Sequence, residues 1–502
     1  MITKSEEKYI YKPAVRKSDA IPLWFCFPST YMIGMASLGY LHLFRLFDEN
    51  PDVYPERVFT DTEKTFHQAE NVELMGLSFS FELDFLGMFK IFDKYKIPFR
   101  STDRGDEFPL VFGGGPVLTA NPEPYVEFFD FINIGEGDES LLEVVNVYKE
   151  MRDIKDKKTK LERISQIPGI YVPSLNKGEK EVHKTYVKDF QKSLYTPILT
   201  EKSVFPNMFM VEIARGCPKK CHFCIASYLT LPARYPAFEN IKAAIDTGLQ
   251  YSNKIGLLGA LITEHPDFDK ICEYILEKRK EKEFEISVSS LRVDKITPLI
   301  IKTLVACGQK SSTVAIEAGT DRLRKKINKD LTEEAIFKGI KTANENGLTG
   351  LKVYGIIGLP GETQEDIEAL ADLMIRLKKD NKGFNLSLSV SSFVAKAQTP
   401  FQREARPTNA EIEAKSNYLR KELQTHKVQY KPTSLKWDYI QAVLSRGDRR
   451  LAPVLERVYE LGGSLGNWNK AFKEFKDVPN PDWYALRARP RDEVLPWEFI
   501  KV

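Results

Sequence analysis

The sequence predicts an α/β protein in three parts: an N-terminal doubly wound, Rossmann-like domain, a partial (β/α)6 barrel of the TIM type, and a helical C-terminal region. Three observations predict it. Apolar strand-like runs alternate with helical spacing over roughly residues 20–145. After a charged stretch, the alternation resumes from Met208 to about Ala395. Beyond that point the apolar spacing is helical. Strands that alternate with helices imply parallel sheets, and such sheets take ligands beyond the carboxyl ends of their strands.

In the first part, LWFCFP (23–28) reads as a strand and Met35 to Phe47 as a helix. VELMGLSFS (72–80) is a strand followed by a helix through Tyr95. PLVFGGGP (109–116) runs from a strand into a glycine turn, and FFDFINIGEGDESLLEVV (128–145) is strand, turn and helix. These place a domain at 1–150. Residues 151–205 are charged and poor in apolar pattern, so they read as a linker with a small β excursion at Gly169–Pro173.

Six strand-like runs then define a barrel at 206–398: 209–215, 254–260, 284–291, 312–319, 351–360 and 386–394. Residues 399–502 form a helical region, with helices at Ala410–Thr425 and Asp438–Tyr459, expected to cap the barrel mouth. Its Arg446, Arg449 and Arg450 read as a solvated or salt-bridged face, with a grip on an anionic group as the alternative. Tyr354 reads as core packing, with a radical or proton relay as the alternative. Cys307 reads as a small buried apolar residue.

With 502 residues and 42% hydrophobic content, the chain has ample material for a large core. The formal net charge of +3 does not point to nucleic acid. Six cysteines, three of them clustered, are not a disulfide framework. The start, MITKSEEKYIYKPAVRK, lacks an apolar signal core, and no run of about 18 apolar residues exists. The expectation is a cytoplasmic, reducing setting.

Chemistry concentrates in EIARGCPKKCHFCIASY, where Cys217, Cys221 and Cys224 stand in Cys-x-x-x-Cys-x-x-Cys spacing after a strand. Three thiolates can hold three irons of a 4Fe–4S cubane and leave the fourth iron open. Structural zinc wants four ligands, usually in paired clusters. His222 reads as a non-ligand, because adjacent residues bind one metal awkwardly.

These residues resemble the radical S-adenosylmethionine (radical SAM) superfamily. The resemblance implies that the open iron chelates SAM and that an electron cleaves it to a 5′-deoxyadenosyl radical. It implies an electron donor such as flavodoxin or ferredoxin. It assigns Phe223 to the adenine side, and Gly259 of LLGALITE (257–264) to a turn that departs from the family's GGE-like pattern. It assigns Ser289 and Arg292 of SVSSLRVD to the SAM carboxylate or ribose, and Glu317 of AIEAGTDRLRKKINK to the ribose hydroxyls. Ile357, Gly358 and Leu359 of GIIGLPGET are assigned to adenine through backbone groups.

Residues 20–145 resemble the cobalamin-binding domain that precedes the barrel in one radical SAM class. The resemblance rests on MGLSFSFELDF (75–85), VFGGGPVLTANPEP (111–124) and FINIGEGDES (131–140). It implies cobalamin near Ser78, Ser80, Gly113, Gly114 and Gly115; the alternative is a domain that binds nothing and only packs on the barrel. No Asp-x-His-x-x-Gly is present, and neither His42 nor His67 fits that pattern. The function implied is a cobalamin-dependent methylation of an unactivated carbon. The alternatives are a cobalamin-independent rearrangement or carbon–carbon bond formation and, lowest, methylthiotransfer. The substrate and the groups that act on it are not named by any motif.

Overall fold

The computed structural model describes residues 6–502; the first five residues of the predicted N-terminal domain lie outside the described residues. That domain is a six-stranded sheet built from β1 (Ile21–Phe27), β2 (Val53–Phe59), β3 (Leu74–Ser78), β4 (Leu110–Gly114), β5 (Phe131–Asn133) and β6 (Ile170–Tyr171). The strand order is β2-β1-β3-β4-β5-β6, parallel throughout except for the antiparallel β5–β6 pair. The order reverses between β1 and β3, and a crevice forms at such a switch point.

Both faces of this sheet are covered, so its strands are continuously apolar rather than alternating. Helices Leu38–Asp48 and Ser140–Glu150 close one face around Phe25, Phe47 and Val144. Helix Asp84–Tyr95 closes the other together with the C-terminal helices, and Phe85 meets the Trp468 ring edge-on at 5.9 Å. Strand β2 has no counterpart among the predicted elements. Its Pro55 and the charged Glu56 and Arg57 break the apolar run, which an edge strand tolerates because one side of its backbone needs no partner.

The 151–205 segment is ordered. It carries a helix at Lys157–Ile164, strand β6, and short pairings of Val182–His183 with Ile500–Lys501 and of Ile198–Thr200 with Glu7–Tyr9.

Six parallel barrel strands follow where the sequence predicts them: β7 (Phe209–Ala214), β8 (Lys254–Gly259), β9 (Glu285–Val288), β10 (Ser311–Glu317), β11 (Gly350–Ile357) and β12 (Asn385–Ser392). A seventh, β13 (Gln429–Pro432), extends the sheet parallel to β12. The β7–β9 and β10–β13 groups are joined by a single parallel bridge between Leu291 and Val314. Alternate residues such as Ile255, Leu257, Val314 and Val353 face the outer helices and form the core. Tyr354 lies on the opposite side, 40% exposed, with its hydroxyl 3.0 Å from Lys352 Nζ, so it is not core packing.

The C-terminal region is helical, with one correction. The stretch predicted as one helix over 438–459 is two, Leu435–Ser445 and Ala452–Glu460, broken at Arg446 and Gly447. The first of these helices reaches the barrel's carboxyl end, where Asp438 accepts from Ser392 at the end of β12. Their apolar residues Ile440, Val443, Leu455 and Val458 share a core with the N-terminal domain, and Arg100–Glu456 and Glu123–Arg449 pairs cross the same junction. No helix among the described residues is long and apolar enough to cross a membrane.

Candidate functional site

The three clustered cysteines sit on the loop that leaves β7 at the carboxyl end of the barrel, where barrel chemistry is usually placed. Gly216 turns the chain there with φ 82°, and a Cβ on it would lie 2.5 Å from the Thr230 carbonyl oxygen. The loop is clamped from a distance. The His222 amide donates to Ile327 O (2.9 Å), and the Asn328 side chain donates to Lys219 O (3.1 Å) and Lys220 O (2.8 Å). His222 rests its Nδ1 3.0 Å from Lys326 O and its ring against Phe401.

Cys221 is buried, while Cys217 and Cys224 are half-buried. Burial pushes the Cys221 thiol up to about 11; the Lys329 charge opposes this, and Cys224, Glu317 and Cys217 add to it. The other two thiols each act electrostatically on Cys221. Among the described residues, no three His, Cys, Asp or Glu side chains converge on a single metal position. A cubane asks for something else, one thiolate per iron around a cluster rather than three on one ion. Loop placement and spacing fit that group.

Around the loop, Phe223 packs against the small core of Ala318, Leu323, Leu359 and Phe401. Ser289 is exposed just beyond β9. Arg292 is 8% exposed; its Nε lies 2.7 Å from Asp294 Oδ1 and its other end donates to Asp330 O. Glu317 ends β10 at a bulge, with φ 66°, and its carboxylate lies 3.0 Å from Lys329 Nζ. In the β11 turn, the Gly358 amide donates to Glu362 Oε1 (2.8 Å), Leu359 O accepts from the Glu362 amide, and Ile357 O accepts from Phe393. Those backbone groups already have partners inside the protein.

Between the N-terminal domain and the barrel lies a cavity of about 470 Å³. Ser78, Ser80, Gly114 and Gly115 line it from the ends of β3 and β4; Gly259, Arg215 and Gly216 line it from the barrel. Its walls are mainly apolar, with Phe25, Leu77, Phe112 and Leu141 among them, as expected of a ligand pocket. A Cβ on Gly114 would meet nothing nearer than 3.8 Å, so this glycine leaves open space on the wall. Gly115 has φ 108°, and a Cβ there would lie 2.3 Å from Phe79 O. Gly113 is different. It is buried, a Cβ would strike Leu118 and Phe129, and it serves packing rather than the cavity wall.

Several residues of this site were not singled out by the sequence. His42 and Asp138 meet on the cavity wall. Glu136 accepts from Arg234 and Arg215 and from the Val187 amide, and Arg215 also pairs with Glu212, so a charged network ties the two domains beside the cysteine loop. Asn328 clamps the loop, and Lys329 next to it pairs with Glu317. The one signal for these last two in the sequence is the INK (327–329) that ends the Glu317 segment. The arginines 446, 449 and 450 are structural: Arg449 pairs with Glu123, Arg450 with Asp448, and Arg446 is fully buried.

Comparison with known proteins matches residues 39–173 to the N-terminal family of radical SAM proteins and residues 211–374 to the radical SAM superfamily. The uncharacterized protein MJ0966 of Methanocaldococcus jannaschii is 26% identical over 439 residues, 86% of this chain and 89% of that one. The ribosomal protein uS12 methylthiotransferase RimO of Thermotoga maritima is 26% identical over 223 residues, 40% of this chain and 51% of that one. Two solved structures share the fold. The cobalamin-dependent radical enzyme OxsB, with aqua-cobalamin and S-adenosylmethionine bound, aligns at TM-score 0.56 and 12% identity over 91% of this chain and 70% of that one. The radical S-adenosylmethionine methyltransferase TsrM of Kitasatospora setae, with cobalamin and a 4Fe–4S cluster bound, aligns at 0.56 and 13% over 90% and 98%.

Proposed function

The chain carries both radical SAM domains and belongs to the radical SAM superfamily, and from that membership we propose that it is a cobalamin-dependent radical SAM enzyme that methylates an unactivated carbon. Cys217, Cys221 and Cys224 hold a 4Fe–4S cluster. When bound, the cluster supplies the electron that cleaves SAM to a 5′-deoxyadenosyl radical. Phe223, Gly259, Ser289, Arg292, Glu317 and the Ile357–Leu359 turn surround SAM, and Ser78, Ser80, Gly114 and Gly115 border a corrinoid.

The observation that carries the proposal is the single cavity shared by the β3 and β4 ends and the residues that flank the cysteines, Gly216 and Ala226. A methyl carrier and a radical must reach one carbon, and this cavity opens to both elements. Arg215, which lines it, also precedes the cysteine loop by two residues and is tied to Glu136 of the N-terminal domain, so the two walls are held in register.

The test is anaerobic reconstitution with iron and sulfide, followed by titration with hydroxocobalamin. The expected result is 5′-deoxyadenosine on reduction with SAM and a bound corrinoid spectrum. Deoxyadenosine without corrinoid binding would leave a cobalamin-independent rearrangement or carbon–carbon bond formation. Methylthiotransfer has support in the RimO relative. Against it, Cys26 is the one cysteine before residue 217 and is fully buried inside β1, so no set of ligands for a second cluster stands there.

A further inference from the structure

A second cavity, of about 130 Å³, lies where the N-terminal domain, the barrel and the C-terminal helices meet. Apart from Ser80, none of its residues has a part in the sites described above. Ser80 lines both this pocket and the larger cavity, so the two are neighbours. The apolar wall is made by Phe81, Val117, Ala120, Ala397, Leu444 and Ile225, the residue that follows Cys224. The polar wall is an ion pair. Lys396, just past β12, donates to the Glu82 carboxylate, and the two side chains are 16% and 8% exposed. Gln441 Nε2 (3.0 Å) and Ser445 Oγ (2.7 Å) also donate to Glu82. Burial disfavours this carboxylate, but Lys396, Gln441 and Ser445 together hold its carboxyl below the ordinary value. The buried Tyr125 hydroxyl fixes the backbone here by donating to Glu82 O at 2.8 Å.

Glu82 thus accepts from three side chains, whereas Lys396 gives it one of the three N–H groups of an ammonium. The remaining donors set the chemistry of an occupant. The group must accept hydrogen bonds, which an ammonium cannot do. It must also be uncharged. Glu82 already neutralises the lysine, and no further cation stands among the described residues that line the pocket. An added carboxylate would meet the Glu82 charge where screening is poor. The cavity exceeds what one water needs, and its apolar wall suits a short hydrocarbon body. We propose that this pocket holds the substrate as a small neutral carbonyl compound, with its oxygen on Lys396 and its hydrocarbon part between Ile225 and Ser80, beside the larger cavity. The role as substrate rests on the methyl-transfer reading above; the binding itself does not.

The test uses the full chain after anaerobic reconstitution and three probes of similar shape: isobutyramide, isobutyrate and isobutylammonium. Saturation-transfer nuclear magnetic resonance reads their affinities. Isobutyramide is expected to bind about tenfold more tightly than either charged probe, the scale of one hydrogen bond to a charged donor. Lys396→Met should weaken amide binding by about the same factor. Ala120→Leu fills the pocket but keeps the lysine, and should abolish it. Glu82→Gln leaves the lysine charge unopposed and should reverse the order in favour of isobutyrate; a pair that only ties the domains together would not produce that reversal. The proposal is overturned by a wild type that binds no amide or binds isobutyrate as tightly. It is equally overturned by amide binding unchanged in folded Lys396→Met or Ala120→Leu, or by an unreversed order in folded Glu82→Gln. If a variant does not fold, the wild-type order of the three probes decides. Failure of hydroxocobalamin to bind defeats the methyl-transfer reading instead and leaves that order untouched, so the two failures are distinct.

Discussion

Nε2 of His42 lies 2.8 Å from Oδ1 of Asp138, joining helix Leu38–Asp48 to the turn after β5 across the wall of the interdomain cavity. Burial disfavours the Asp138 carboxylate, but the His42 hydrogen bond and charge, with Arg215 behind them, hold its carboxyl below the ordinary value. A carboxylate paired in this way fixes the tautomer and orientation of an imidazole. Asp138→Asn and His42→Ala are each expected to weaken hydroxocobalamin binding roughly tenfold, within the range for loss of a supporting partner. Spectral titration measures it; wild-type affinity in both variants would remove the pair from the binding wall.

Asn328 offers a second test, directed at the cysteine loop. It sits at φ 55°, which asparagine tolerates better than most residues, and its amide bridges the carbonyls of Lys219 and Lys220. Asn328→Ala removes both bonds and favours a different backbone conformation. The expected loss is about 1–2 kcal/mol of local stability, read as fewer irons per chain after reconstitution and faster loss of cluster to a chelator. Iron content and chelation rate equal to wild type would show that the clamp is dispensable.

The cysteine loop and all six barrel strands were legible in the sequence, because ligand spacing and period-two burial are local signals. Partnerships across the chain were not. Asn328 meets Lys220 from 108 residues away, and His42 meets Asp138 from 96; neither residue type nor spacing encodes such a pair. Strand β2 was hidden by Pro55 and two charges, and the packing role of Gly113 by its place in a run of three glycines. Arg446 was hidden by its own polarity, since hydropathy places an arginine outside, whereas this one is satisfied by main-chain carbonyls. The docking of the C-terminal helices on the N-terminal domain was equally unreadable, because an amphipathic helix does not name the surface that it covers.

Stability should depend on pH through Asp84. Burial pushes its carboxyl up to about 6, against the amide hydrogen bonds from Phe81 and Ser80 that favour the charged form. In the unfolded chain the same group releases its proton near pH 4. The folded protein therefore binds more protons between about pH 4 and 6, and stability falls as pH rises through that window. Asp84→Asn lacks this slope. From pH 4 to 6.5 the wild type should lose about 1–2 kcal/mol relative to the variant, after allowance for partial exposure. Urea midpoints at both pH values measure the difference, and parallel curves would contradict it.

Arg446 gives the largest expected stability effect. Its guanidinium is fully buried and donates to Tyr484 O through Nε (2.9 Å) and Nη2 (2.5 Å), to Glu404 O (2.9 Å) and to Arg487 O (2.8 Å). No carboxylate contacts it, so its value lies in binding three chain segments at once: the end of helix Leu435–Ser445, the segment after the barrel, and the end of helix Pro481–Ala485. Arg446→Ala takes the donor from three carbonyls, that of Tyr484 buried, and opens a cavity, a loss of about 3–5 kcal/mol. Arg446→Lys keeps the charge but lacks the planar fork, so it should recover less than half of that loss. Urea unfolding of the three proteins at one pH measures it. Full recovery by lysine would mean that charge, rather than the fork geometry, holds this junction together.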